Sequence, residues 1–236
     1  MGIIVAIGGY VSERNESIET PIEIDKEILS LTGKKNPKLL FVPTASSDLP
    51  SYISAIKKLY QAKLGVTVDT LLLHGTKLSK KEIQEKIDWA DVIYVGGGNT
   101  LMMMKKWRRL GLDKMLKQAY KQNKVLCGAS AGSICWFEYG VSDSLHFYNE
   151  KETKYIKVKA LGILPGVHCP HFGSKTKDNK HRTKGLKEVM KRSKGKCIAV
   201  PDGCALVFKD GKMNSIGLEA SSFCWWEKGK WHEEKI

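Results

Sequence analysis

The chain has no apolar run approaching the roughly 18 residues needed to span a bilayer. Its N-terminal apolar stretch, Ile3-Ile4-Val5-Ala6-Ile7, lacks a basic leader and is too short for a signal peptide. Met1-Gly2 is not followed by Ser or Thr at the sixth position, where Ala6 stands, so N-myristoylation is not predicted. These absences predict a cytoplasmic protein with no membrane partner. None of the six cysteines (Cys127, Cys135, Cys169, Cys197, Cys204, Cys224) belongs to a C-x-x-C pair, and most sit in apolar stretches. A thiol there behaves as a small hydrophobe, so neither a disulfide framework nor a metal site is expected. There is no Walker A loop, and Gly96-Gly97-Gly98 is not a G-x-G-x-x-G fingerprint, because Leu101 stands where the last glycine would be. No cofactor is implied. Repeats, linkers and low-complexity tracts are also missing, which predicts one α/β domain over residues 1–236.

Acidic residues are scarce relative to basic ones: 25 Asp and Glu against 39 Lys and Arg, a formal net charge of +14. Much of the excess lies in Lys175 to Lys196, where ten Lys or Arg face only Asp178 and Glu188. The segment has no aromatic side chain to stack on bases, so a nucleic-acid partner is not expected. Leu186, Val189 and Met190 keep an apolar stripe at helical spacing, which reads as a solvated helix face that also steers anions.

What is present is an alternation of short apolar runs with amphipathic segments. Strands are predicted at Ile3–Ile7, Leu39–Val42, Val66–Leu73, Asp91–Val95 and the run ending before Ser130. Helices are predicted over 21–32, 50–63, 79–89 and 101–122. Closely spaced strands follow at Cys197–Val200, Ala205–Phe208 and Met213–Leu218, with Asp210-Gly211 as a hairpin turn. The pattern predicts a three-layer fold: a mostly parallel sheet flanked by helices, with hairpin elements at the C-terminal end. Ligands of such sheets gather at the carboxyl ends of the strands.

One strand end carries a recognisable turn. Val125-Leu126-Cys127 runs into Gly128-Ala129-Ser130-Ala131-Gly132-Ser133, the Gly-x-Ser-x-Gly pattern of a nucleophile elbow. Small neighbours are needed because the turn is strained and larger side chains would collide with strand and helix. A tightly packed turn without catalysis would show the same letters. A serine nucleophile needs a base and a group to orient it. Of the six histidines, His171 in Cys169-Pro170-His171-Phe172 has its backbone set by proline and the preceding turn, and His168 is its rival. Asp143, Glu138 and Glu150 are the candidate orienting acids. The glycines at 96–98 let backbone N–H groups approach a reacting atom, as an oxyanion hole requires, though a phosphate cradle or plain turn would also use them.

Taken together, Gly96-Gly97-Gly98-Asn99-Thr100, Gly128 to Ser133, Ser142-Asp143-Ser144 and Cys169 to Phe172 resemble the S51 serine peptidases, the family of aspartyl dipeptidase and cyanophycinase. The resemblance implies a fold like the class I glutamine amidotransferases and hydrolysis of small, acidic peptides. It implies Ser130 as nucleophile, His171 as base, Asp143 as acid (with Glu150 as the cyanophycinase-like alternative) and the N–H groups of Gly98 and Ala131 as oxyanion hole. Asn99 and Arg182 would contact substrate. Two readings compete: another α/β serine hydrolase such as an esterase, and a catalytically silent amidotransferase-like binding module.

Overall fold

The computed structural model describes residues 2–9, 22–174, 182–217 and 219–236. His181, the first part of the basic stretch and Leu218 therefore lie outside the described residues. The central sheet contains β1 (Ile3–Ile7), β2 (Lys38–Val42), β3 (Thr67–Thr70), β4 (Val92–Val95) and β5 (Val125–Ala129), all parallel. Before β3 come α1 (Ile22–Ser30) and α2 (Pro50–Lys57), and α3 (Lys80–Trp89), α4 (Thr100–Leu110) and α5 (Leu112–Lys121) follow. The period of two along each strand divides the apolar residues between two faces. Val5, Phe41, Tyr94 and Cys127 pack with Ile24, Ile28 and Ile56 of α1 and α2. Ile4, Leu40, Ile93 and Leu126 pack with Ile83, Met103, Trp107 and Leu116 of α3 to α5. This is the expected three-layer arrangement.

Later elements extend it. A short α6 (Ala131–Ile134) leads into β6 (Phe137–Ser142), then β7 (Ile156–Lys159), β8 (Leu164–Pro170), α7 (Arg182–Met190) and β9 (Cys197–Val200). The chain closes with β10 (Cys204–Lys209), β11 (Lys212–Gly217), β12 (Ser222–Glu227) and β13 (Lys230–Lys235). The central sheet runs β11-β10-β1-β5-β4-β2-β3, with β10 antiparallel to β1. A second sheet runs β13-β12-β9-β8-β6-β7. Trp136, Phe137, Val158 and Leu164 join the α3–α5 cluster, so one hydrophobic core lies between the two sheets. Among the described residues, no helix is long and apolar enough to cross a membrane.

Three expectations change. The helix predicted over 101–122 is two helices, because Gly111 takes the left-handed conformation (φ 79°) between them. The strand predicted over 66–73 ends at Thr70; beyond it the N–H groups of Leu73 and His74 donate to Asp48 instead of to a neighbouring strand. The helix predicted over 50–63 closes as a widened π turn at Lys58–Lys63. Within the basic stretch, Leu186 and Met190 of α7 are buried, while Lys191, Lys194 and Lys196 are exposed.

Candidate active site

The end of β1 organises the site. Three successive backbone carbonyls there each receive an N–H from a different segment: Ile7 from Ser130 at 3.2 Å, Gly8 from His171 at 3.2 Å, Gly9 from Gly203 at 2.9 Å. The chain just past β5, the chain just past β8 and the β9–β10 connection are thus stitched to one strand end. Ser130 sits between β5 and α6 with φ 56° and ψ −117°, a conformation few non-glycine residues hold. His171, one residue past β8, also has φ 56°.

The His171 ring is held by a carboxylate. Its Nδ1 lies 2.5 Å from Oδ1 of Asp202, and both side chains are 28% exposed. A carboxylate only accepts, so Nδ1 carries a proton, and in the neutral ring this leaves the lone pair on Nε2. Gly9 leaves room for the pair: a Cβ on it would lie 2.1 Å from Asp202 Oδ1 and 2.4 Å from His171 Nδ1. Among the described residues, the Ser130 hydroxyl forms no hydrogen bond, to His171 or to any other group.

The glycine triplet faces the serine. A Cβ on Gly97 would come within 3.3 Å of Ser130 Cβ, and Gly97 N–H donates to the Tyr52 hydroxyl at 3.3 Å. Gly98 has φ 134°, and a Cβ there would meet Ala45 O at 2.2 Å, so that backbone admits only glycine. Neither the Gly98 nor the Ala131 N–H has an acceptor among the described residues. Asn99 caps α4, its Oδ1 accepting from Met102 N–H at 3.0 Å. The amide nitrogen is left without a partner among the described residues.

The sequence-predicted acids lie elsewhere. Asp143 does not touch His171: its Oδ2 accepts from Arg182 Nη1 at 3.2 Å. Glu138, at the start of β6, accepts from Gly166 N–H at 2.8 Å, at the opposite end of the strand from the site. Glu150 is exposed in a turn. Asp202 went unremarked in the sequence, although Pro201-Asp202-Gly203 directly follows a predicted strand, where site residues of such sheets gather. Arg182 is also otherwise engaged. It is buried at the start of α7, donates from Nη2 to Val141 O at 3.1 Å, and stacks on Tyr155 with its guanidinium 4.8 Å from the ring centre. Ser142 and Ser144 brace α4, whose Leu101 N–H donates to Ser144 Oγ at 3.0 Å. His168 is completely buried and points away from solvent.

The arrangement brings an imidazole, a strained serine and two N–H groups without an acceptor among the described residues to the carboxyl ends of β4, β5 and β8, beside the end of β1. Known proteins are similar in sequence and in fold. The uncharacterized peptidase YgaJ of Bacillus subtilis (strain 168) is 35% identical over 167 residues, 70% of this chain and 65% of the relative. Peptidase E of Streptomyces coelicolor is 28% identical over 136 residues, 57% of this chain and 51% of the relative. The chain thus spans less than two thirds of the length of either relative. The crystal structure of a peptidase from an acI-B1 Actinobacterium superposes with a TM-score of 0.70 at 19% identity, covering 100% of this chain and 93% of the other, which shows a shared fold. The model of peptidase family S51 matches residues 5–216, and the chain belongs to that family.

Proposed function

We propose that the protein is a serine peptidase acting on small, acidic peptides, with residues 1–236 working as one unit. Ser130 Oγ attacks the scissile carbonyl carbon while its proton passes to His171 Nε2. Asp202 fixes the tautomer and stabilises the imidazolium that forms. The developing oxyanion accepts from the Gly98 and Ala131 N–H groups. His171 then gives its proton to the leaving amine as the C–N bond breaks, leaving an acyl group on Ser130. Water attacks that ester through the same base and regenerates the enzyme. The single observation that carries this reading is the Asp202–His171 bond together with a strained serine, their three segments stitched to consecutive carbonyls at and just past the end of β1. The preference for acidic peptides is supported by the positive charge and by the resemblance to the family of aspartyl dipeptidase. Asn99, through its amide nitrogen, and the basic surface are the groups offered to substrate.

A fluorophosphonate probe tests the chemistry, since it bonds covalently only to an activated serine. Labelling of the wild-type protein and none of Ser130→Ala is the expected result. A wild-type protein that stays unlabelled would leave a silent binding module as the better account.

A further inference from the structure

His168 makes contacts that the triad does not account for. It is fully buried on β8, its ring stacked on Phe137 at 4.5 Å between centroids and 10° between planes. Nδ1 lies 3.0 Å from the Ile198 carbonyl of β9, and Nε2 lies 2.9 Å from Ser133 Oγ on α6. A carbonyl only accepts, so Nδ1 carries the proton. Burial pushes the ring's pKa down to about 3, so the imidazole is neutral and Nε2 is a lone pair. Ser133 must then donate to it. Ser130 O, 2.8 Å from the same hydroxyl, is already served by the N–H groups of Ser133 and Ile134 at 3.0 Å each.

The positions of these contacts matter. Ser133 is three residues past Ser130, His168 is three before His171, and Ile198 is four before Asp202. One imidazole therefore bonds the nucleophile's helix and the acid's strand while sitting on the base's strand. Strained backbones such as those of Ser130 and His171 persist only where their surroundings over-determine them. We infer that His168 is a positioning residue for the hydrolysis, acting through Ser133 and Ile198 to hold the three catalytic segments at one separation. The inference rests on the triad proposed above. A misplacement of about 1 Å in such a constellation is enough to cost about a hundredfold in rate, so the clamp acts on turnover rather than on substrate affinity.

Saturation kinetics with a fluorophosphonate give the maximal inactivation rate and the half-saturating concentration separately, per folded molecule. Ser133→Ala removes only the hydroxyl and should lower the maximal rate about tenfold with half-saturation unchanged. His168→Leu should lower it about a hundredfold, and Ser133→Ala/His168→Leu no further, because the two act as one unit. His168→Gln keeps a donor and an acceptor and should recover to within several-fold of wild type. Equal maximal rates in Ser133→Ala and wild type, with only the melting temperature changed, would make His168 a structural core residue and overturn the inference. Should His168→Leu fail to fold, Ser133→Ala decides alone. An unreactive wild-type protein would instead remove the serine mechanism, and this inference with it.

Discussion

Ser130 and His171 both hold a φ of 56°, a conformation costing about 1–3 kcal/mol at each non-glycine residue. The hydrogen bonds from their N–H groups to Ile7 and Gly8 offset that cost and aim both side chains from the same strand end. Asp202 then decides which imidazole nitrogen is basic. Asp202→Asn preserves the shape but lets the amide donate to Nδ1, which turns Nε2 into the protonated atom. We expect turnover to fall about a thousandfold or more, with binding little changed. Asp143→Asn should behave differently. It weakens a hydrogen bond to a buried guanidinium, but the Asp143 side chain is 47% exposed, so a loss of about 1 kcal/mol of stability is expected, with turnover within tenfold of wild type. Steady-state kinetics and thermal melts of both variants test the assignment; the reverse ranking would return Asp143 to the triad.

At the scale of elements, the candidate oxyanion hole depends on backbone rather than side chains. The Gly98 turn reaches the Ala45 carbonyl so closely that no Cβ fits. Gly98→Ala should therefore displace its N–H and lower turnover at least a hundredfold. Gly33 also has a positive φ (64°) but opens onto nothing within 4 Å. Gly33→Ala should cost about 1–2 kcal/mol with activity retained, so the pair separates strain from catalysis. The early strands and helices were legible because each buries a regular stripe: Leu39-Leu40-Phe41-Val42, for one, is an uninterrupted apolar run. Of the second sheet only β9, the strand predicted at Cys197–Val200, was legible. β8 opens with Leu164-Pro165-Gly166, letters that signal a turn, and β13 is Lys-Trp-His-Glu-Glu-Lys, mostly polar. These segments are strands because distant partners pair with them, which no local periodicity records.

Over the whole molecule, two buried titratable groups act on stability with opposite sign. Asp25 on α1 is fully buried and accepts from the Tyr60 hydroxyl at 2.6 Å; burial pushes its pKa up to about 6, opposed by that hydrogen bond. Between pH 4 and 6 the unfolded chain therefore binds fewer protons than the folded one, and stability falls as pH rises. His168, held neutral down to about pH 3, makes stability rise with pH between about 3 and 6.5. Asp25→Asn removes the first slope and keeps a partner for Tyr60. Urea melts should find the variant equal to wild type at pH 4 and more stable at pH 8, by at most about 3 kcal/mol. Equal stability at pH 8 would contradict the buried-acid account. The net charge of +14 sets a second whole-molecule effect. Because Arg182 is engaged by Asp143 and Val141, the proposed preference for acidic substrates is expected to come from diffuse positive potential. The advantage of Asp-Leu over Asn-Leu and Leu-Leu dipeptides in kcat/KM should shrink as salt rises. A preference that survives high salt would point to direct pairing instead.

The sequence by itself determined the central sheet, the elbow around Ser130, the glycine turn at 96–98 and the resemblance to the S51 peptidases, because each is written in contiguous residues with a local steric reason. It narrowed the candidate base to His171 or His168 by a turn and a proline. Only the tertiary structure decided which carboxylate meets that base. Asp143 and Asp202 are both strand-end aspartates, 28 and 31 residues from His171 on opposite sides, and nothing local distinguishes them. The pairing of β8 with β9 brings Asp202 to the ring, while α7 places Arg182 on Asp143. A hydrogen bond between residues far apart in the chain is a property of how strands align, and strand order is chosen by the burial of the whole core rather than by any one stretch.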